Sequence, residues 1–168
     1  MGASIGSRIP AATFNIMTKT GPAEITTEDV FRDRSVVLFA VPGAFTPPCH
    51  FLHIPGYLEE YETFRNAGVD TVACTAVNDA FVLDVWADAT DAKGKLVFLA
   101  DGNADFVTAM GMRLDARALG LGIRSRRYAL WAQDGIIRAL NVEEDPTVAE
   151  MSSAHMMLKL FSEWNASA

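Results

Sequence analysis

The stretch SVVLFAVPGAFTPPCHFLHIPGY, residues 35–57, runs an apolar strand directly into a proline-crowded turn that carries a cysteine. Residues 35–41 are almost continuously apolar and rich in β-branched and aromatic side chains, the pattern of a strand buried on both faces. Pro47 or Pro48 suits the first turn of a helix, where the missing N–H costs nothing. Pro47 also keeps Thr46 out of helical geometry, in an extended or capping conformation. Cys49 then falls in the first helical turn, among unpaired backbone N–H groups at the positive end of the helix dipole, a setting that favours thiolate. A merely buried thiol needs no such turn. The helical pattern continues with Ile54, Tyr57, Leu58, Tyr61 and Phe64 on one face, and Pro55 inside it predicts a kink.

The rest of the chain supplies the sheet around that strand. The segment before residue 30 reads as loop with short strands. DTVACTAV, residues 70–77, is a second buried strand, and Asn78 or Asp79 caps a helix burying Phe81, Val82, Val85, Trp86 and Ala89. KLVFLAD gives a third strand, followed by a short helix over residues 103–110 closed by Gly111. RRYALWA and IIRALNV meet at Asp134-Gly135, a strong hairpin signal. A last helix buries Met156, Met157, Leu160, Phe161 and Trp164. The early alternation implies right-handed crossovers and parallel strands, while the hairpin adds antiparallel ones. The expected class is α/β: a thioredoxin-like fold with a central mixed β-sheet flanked by helices, a C-terminal β-hairpin and a helix, in a single domain over residues 1–168. Open α/β sheets place their sites beyond the carboxyl ends of strands, where Cys49 lies.

Composition narrows the function classes. The formal net charge of −7 argues against a general grip on nucleic acid or anionic membrane. The apolar run over residues 36–45 is broken by Pro42-Gly43 and is too short to span a bilayer. The start, MGASIGSRIP, has no apolar signal core and carries Gly6 where a myristoylation signal wants Ser or Thr, so a cytoplasmic location is expected. Two cysteines, Cys49 and Cys74, make no disulfide framework. Cys49, His50 and His53 cluster in sequence, yet Cys74 and His155 offer no paired spacing to complete a zinc site. The Cys-x-x-Cys pair of a thiol–disulfide oxidoreductase is missing. Glu143, Glu144 and Asp145 read as solvated surface, and His50 as an exposed histidine. In GIRSRRYALW, strand alternation sends Arg126 and Arg127 to opposite faces, and Arg127, next to the apolar residues, is the one placed to reach inward. Arg124 and Arg126 fit a solvated basic strand edge.

PGAFTPPCHFLHIPGY resembles the peroxiredoxin signature Pro-x-x-x-Thr-x-x-Cys, in the extended form of the type II, peroxiredoxin-5-like subfamily, including its downstream His-x-Pro-Gly at residues 53–56. VACTAVNDAFVLDVWA and RRYALWAQDGIIRALNVE extend the likeness over nearly the whole chain. The resemblance implies a thiol peroxidase in which Cys49 attacks hydrogen peroxide or an organic hydroperoxide and becomes a sulfenic acid. It places Thr46 as the hydroxyl that holds peroxide and thiolate, Pro42 as the shield against bulk water, and Arg127 as the active-site cation. His53, within the motif, is expected to orient the turn or contribute to a subunit contact. No cofactor or metal is implied. The implied partners are the peroxide substrate, an external thiol reductant and a second copy in a homodimer. The chain departs from many members in lacking a resolving cysteine after Cys74, which fits a packed core thiol. The expected turnover uses one cysteine, with glutathione or glutaredoxin as reductant and thioredoxin as the alternative. A non-catalytic redox-sensing or chaperone role is the competing reading, distinguished by a Cys49→Ser variant.

Overall fold

The computed structural model describes residues 2–167. The chain opens with a hairpin, β1 (Thr13–Thr18) and β2 (Gly21–Thr26), and a one-turn helix, α1 (Thr27–Phe31). Thr26 and Asp29 form a reciprocal capping box that starts α1, so the short strands expected before residue 30 pair as a hairpin and the rest holds a capped turn of helix. Next come β3 (Ser35–Ala40), a π-helical turn over Cys49–His53, α2 (Ile54–Glu59), α3 (Tyr61–Ala67) and β4 (Thr71–Ala76). They are followed by α4 (Ala80–Ala89), β5 (Val97–Ala100), α5 (Asp105–Ala109), and a small antiparallel pair, β6 (Arg113–Asp115) and β7 (Ile123–Ser125). The hairpin β8 (Tyr128–Gln133) and β9 (Ile136–Val142) and the helix α6 (Ala154–Ser167) complete the chain.

The main sheet has seven strands in the order β2-β1-β5-β4-β3-β8-β9. β3, β4 and β5 are parallel; the two hairpins flank them with antiparallel strands, giving the mixed sheet expected. β3 lies among these strands with every residue buried, as its unbroken apolar run requires. Val37, Phe39 and Val41 face the core beneath α2, α3, α4 and α6, while Val36, Leu38 and Ala40 face the core beneath α1 and α5. Asp134 and Gly135, at φ 48° and 73°, make the expected two-residue turn between β8 and β9, a conformation glycine takes without strain. No helix among the described residues is long and apolar enough to cross a membrane.

Of the three longer helix readings, the first and last keep their expected face in outline and only that of α4 shifts in phase. Pro55 lacks the N–H that the Phe51 carbonyl would accept, and its ring crowds that carbonyl. The strain appears upstream as the π turn, in which the Ile54 N–H bonds the Cys49 carbonyl, and the helix breaks again at Glu60. Ile54, Tyr57 and Phe64 are fully buried, with Leu58 and Tyr61 only partly so. In α4 the Asp79 cap is as expected, but the buried residues are Ala80, Leu83, Trp86 and Ala87, and Phe81 and Val85 face outward. That helix has apolar residues on both sides, so periodicity did not select a face. In α6, Ala154, Met157 and Phe161 are buried, whereas Met156 and Leu160 are half-buried and Trp164 lies against Trp131 at the rim.

Candidate active site

The turn after β3 places Cys49 under the sheet's carboxyl edge. The His50 N–H bonds the Thr46 carbonyl at 3.0 Å, which puts Thr46 at the cap position and Cys49 in the first turn. The Thr46 hydroxyl is 2.7 Å from the Gly43 carbonyl and 2.9 Å from the Cys49 Sγ. A hydroxyl has one proton, and both neighbours compete for it: given to the Gly43 carbonyl it leaves the oxygen to accept a Cys49 S–H, and given to the sulfur it serves a thiolate.

Antiparallel pairing brings the second half of the site across the chain. Ala40, at the exit of β3, pairs with Tyr128, at the entrance of β8. Arg127 therefore reaches the carboxyl end of β3, and because Tyr128 faces the opposite core, Arg127 points to the face that holds Cys49. Its side chain is 1% exposed. The guanidinium is held at three nitrogens: Nη2 donates to Cys49 Sγ at 2.9 Å, Nη1 to His53 Nδ1 at 2.8 Å, and Nε to the Pro146 carbonyl at 3.0 Å. Of its five N–H groups, one on each terminal nitrogen has no hydrogen-bond partner among the described residues. A nucleophilic atom thus has a permanent cation and a hydroxyl at bonding distance in a water-poor site. Such preorganised donors stabilise charge as it shifts from an attacking to a leaving atom.

The redoxin family model matches residues 4–158 of this chain. Over 160 residues the chain is 40% identical to the chloroplastic peroxiredoxin-2E of Arabidopsis thaliana, covering 93% of this chain and 68% of that one. It is 34% identical over 157 residues to peroxiredoxin-2B of the same plant, covering 93% and 96%. Among solved structures, the reduced Prx3 of Vibrio vulnificus in complex with hydrogen peroxide superposes with a TM-score of 0.90 at 40% identity, over 95% of this chain and 99% of that one.

The chain is a peroxiredoxin. It has the thioredoxin-like fold of that family and is a thiol peroxidase, an oxidoreductase that reduces peroxide at the expense of a thiol.

Pro42 is buried next to the turn, and its carbonyl lies 3.5 Å from Arg124 Nη1. The peroxiredoxin's Arg124 is therefore not a solvated strand edge. It is half-buried, with Nε donating to the Leu121 carbonyl, and it fills the space left by the missing side chain of Gly43, where a Cβ would sit 2.8 Å from Nη1. His50 is also not a free surface histidine. Its Nδ1 accepts the Trp86 indole N–H at 3.0 Å, and its ring stacks near Phe45. Cys74 lies in β4 opposite Phe39 with no exposed surface, and burial pushes its thiol well up, which keeps it protonated.

Sequence reasoning missed one component. Glu143 is 4% exposed, not solvated, and its Oε1 accepts both the N–H and the hydroxyl of Ser152 at 2.7 and 2.9 Å. The Ser152 carbonyl in turn accepts His53 Nε2–H at 2.9 Å and the Tyr57 hydroxyl at 2.7 Å. The signal was present: counting by twos along β9 from the buried Ala139 puts Asn141 and Glu143 on the same face.

His53 has a measurable consequence for stability. Burial, with a further contribution from the Arg127 charge and against the bond to Ser152, pushes its imidazole down to about 3 from an ordinary value of 6.5. The groups facing it are Arg127, Tyr57 and, through Ser152, Glu143. Between those two values the unfolded chain binds a proton that the folded chain does not, so stability rises with pH through this window and levels off above it. Unfolding by urea should show wild type losing about 2 kcal/mol from this group between pH 8 and pH 5. A His53→Asn variant should lack that part of the slope, and an unchanged slope would rule out His53 as its source.

Proposed function

We propose that Cys49 is the peroxidatic residue and that the enzyme turns over on this cysteine alone. The observation that carries this reading is the Cys49 Sγ with Arg127 Nη2 and Thr46 Oγ1 each at 2.9 Å. The Cys49 thiolate attacks one oxygen of HOOH or ROOH, an S–O bond forms as the O–O bond breaks, and the departing hydroxide or alkoxide takes a proton to leave as water or alcohol. Thr46 holds the bound oxygen, Arg127 stabilises the charge moving onto the leaving oxygen, and Pro42 excludes bulk water from the sulfur. Hydrogen peroxide and small organic hydroperoxides suit a site built from so few donors.

The product is a Cys49 sulfenic acid. One glutathione thiol condenses with it, releasing water and forming a mixed disulfide; a second glutathione, or a glutaredoxin thiol, exchanges that disulfide and returns the thiol. Two features support an external thiol: no cysteine follows Cys74, and Cys74 itself is locked within a central strand. Thioredoxin is the alternative donor. The same reading places the protein in the reducing cytoplasm as a homodimer. The exposed Phe45, Phe51 and Leu52 beside the site form an apolar surface that such a contact would cover.

Peroxide loss measured with glutathione and glutaredoxin, and separately with thioredoxin and its reductase, tests the donor. Turnover should be faster with glutathione and glutaredoxin, and Cys74→Ser should change it less than twofold. Intact-mass analysis after one equivalent of peroxide should show sulfenate or a glutathione adduct on Cys49. Loss of turnover in Cys74→Ser together with a Cys49–Cys74 disulfide would overturn the one-cysteine reading.

A further inference from the structure

Arg127 makes its three bonds to three different anchors, and the middle one is a histidine that itself bonds Arg127 and Ser152 rather than the sulfur. We propose that His53 is the positioning residue of the peroxide site: its Nδ1 lone pair holds one terminal nitrogen of Arg127 so that the other meets the Cys49 sulfur, with residues 143–152 as the fixed backing. This inference rests on the reading of Cys49 as the attacking sulfur.

The donor chemistry fixes the tautomer. A guanidinium has only donors, so His53 Nδ1 must offer its lone pair to Arg127, and the ring proton sits on Nε2, where it is donated to the Ser152 carbonyl. A protonated ring would set N–H against N–H. Burial enforces the neutral form: His53 is 2% exposed and its basicity is strongly depressed. The imidazole is also held in orientation. It lies 4.8 Å from the Phe39 ring and 5.5 Å from that of Tyr57, which themselves stack at 3.9 Å.

The backing is fixed from the far side. Ser152 is pinned at its N–H and hydroxyl by the buried Glu143 carboxylate, and the Glu143 N–H bonds the Arg127 carbonyl at 2.9 Å. The loop after β9 thereby closes a ring of hydrogen bonds that begins and ends at Arg127. The Pro146 carbonyl, from the same loop, fixes Nε. With Nε and Nη1 both held, the guanidinium plane cannot swing Nη2 away from Sγ. The π turn makes this possible because Cys49 and His53, four residues apart, both face Arg127.

Two substitutions separate positioning from packing. His53→Asn puts an amide oxygen near the place of Nδ1 and keeps an acceptor for Arg127, whereas His53→Leu keeps bulk and removes the acceptor. Both are compared with wild type, alone and in an Arg127→Gln background, after circular dichroism has shown that each is folded. The readouts are the rate constant of the peroxide step and the rate at which iodoacetamide alkylates Cys49 at pH 7, mapped by mass spectrometry. We expect His53→Leu to slow both about 10- to 100-fold, as expected for loss of a group that aligns a catalytic charge. His53→Asn should recover most of that loss, and His53→Leu should cost less than twofold once Arg127 is gone. Equal impairment of the Asn and Leu variants, or an undiminished His53→Leu effect in the Arg127→Gln background, overturns the inference. Alkylation needs no peroxide, so it tests the positioning of Arg127 even if wild type forms no sulfenate at Cys49, a result that would instead sink the peroxidatic assignment.

Discussion

Cys49→Ser should abolish peroxide consumption, with a rate lower than wild type by more than about a thousandfold. In the proposed mechanism the thiolate is the attacking group, and sulfur as a class combines an accessible anion with high intrinsic nucleophilicity. A serine hydroxyl in the same place stays protonated at neutral pH and has no route to a stable oxidised product that a thiol can reduce. The exchange is nearly isosteric within a buried turn, and the hydroxyl still meets the Arg127 and Thr46 donors, so stability should change by about 1 kcal/mol or less. Loss of rate without loss of fold is then attributable to chemistry. The measurement is peroxide loss in the presence of reductant, with thermal unfolding as the control. Retention of a tenth or more of wild-type turnover would show that the sulfur of Cys49 is not the attacking atom. Should the variant instead match wild type in suppressing aggregation of a client protein while losing peroxidase activity, the two activities would be separable and only the second would belong to this site.

The parts of the site legible in the sequence were those dictated by local chemistry. A residue before proline, a proline in a helix's first turn and a cysteine shortly after specify the Thr46-to-Cys49 turn without help from the rest of the chain. Arg127 was legible for a different reason: strand alternation fixes which face a side chain takes, and the apolar run that follows it says the face is buried. What stayed hidden was set by contacts between distant segments. His50 looks like a surface histidine until α4 brings the Trp86 indole against it, a pairing across 36 residues. His53 and Ser152, 99 residues apart, acquire their bond only after α6 and the loop before it are folded over α2. Glu143 was misjudged because it heads an acidic run, and composition outweighed the alternation that should have placed it inside. The same competition misplaced the buried face of α4, where apolar residues on both sides left the period ambiguous. Local rules of turn and strand therefore predict the cysteine and its cation, while the contacts that hold the cation are a property of the tertiary fold.

Replacing Arg127 has the second-largest expected effect and says the most about mechanism. Arg127→Gln should lower the rate constant for the peroxide step by about a hundred- to a thousandfold, the cost of removing one preorganised donor aimed at developing charge. Arg127→Lys should restore little of it. An ammonium is a compact point charge, and it cannot meet Cys49 Sγ, His53 Nδ1 and the Pro146 carbonyl along three fixed directions as the guanidinium does. Both variants leave buried acceptors short of partners, and the stability cost should be about 3 kcal/mol. Rates must therefore be compared below each variant's unfolding temperature. The half-reactions provide the internal control. If, as proposed, Arg127 acts on the oxygen leaving the peroxide, formation of the Cys49 sulfenate should carry the loss. Release of glutathione from a preformed Cys49 mixed disulfide, where no O–O bond breaks, should slow far less. If both steps fall equally, Arg127 serves the sulfur in general and not the leaving oxygen. If a folded Arg127→Gln protein forms sulfenate within fivefold of the wild-type rate, the cation at 2.9 Å from the sulfur has no part in peroxide cleavage.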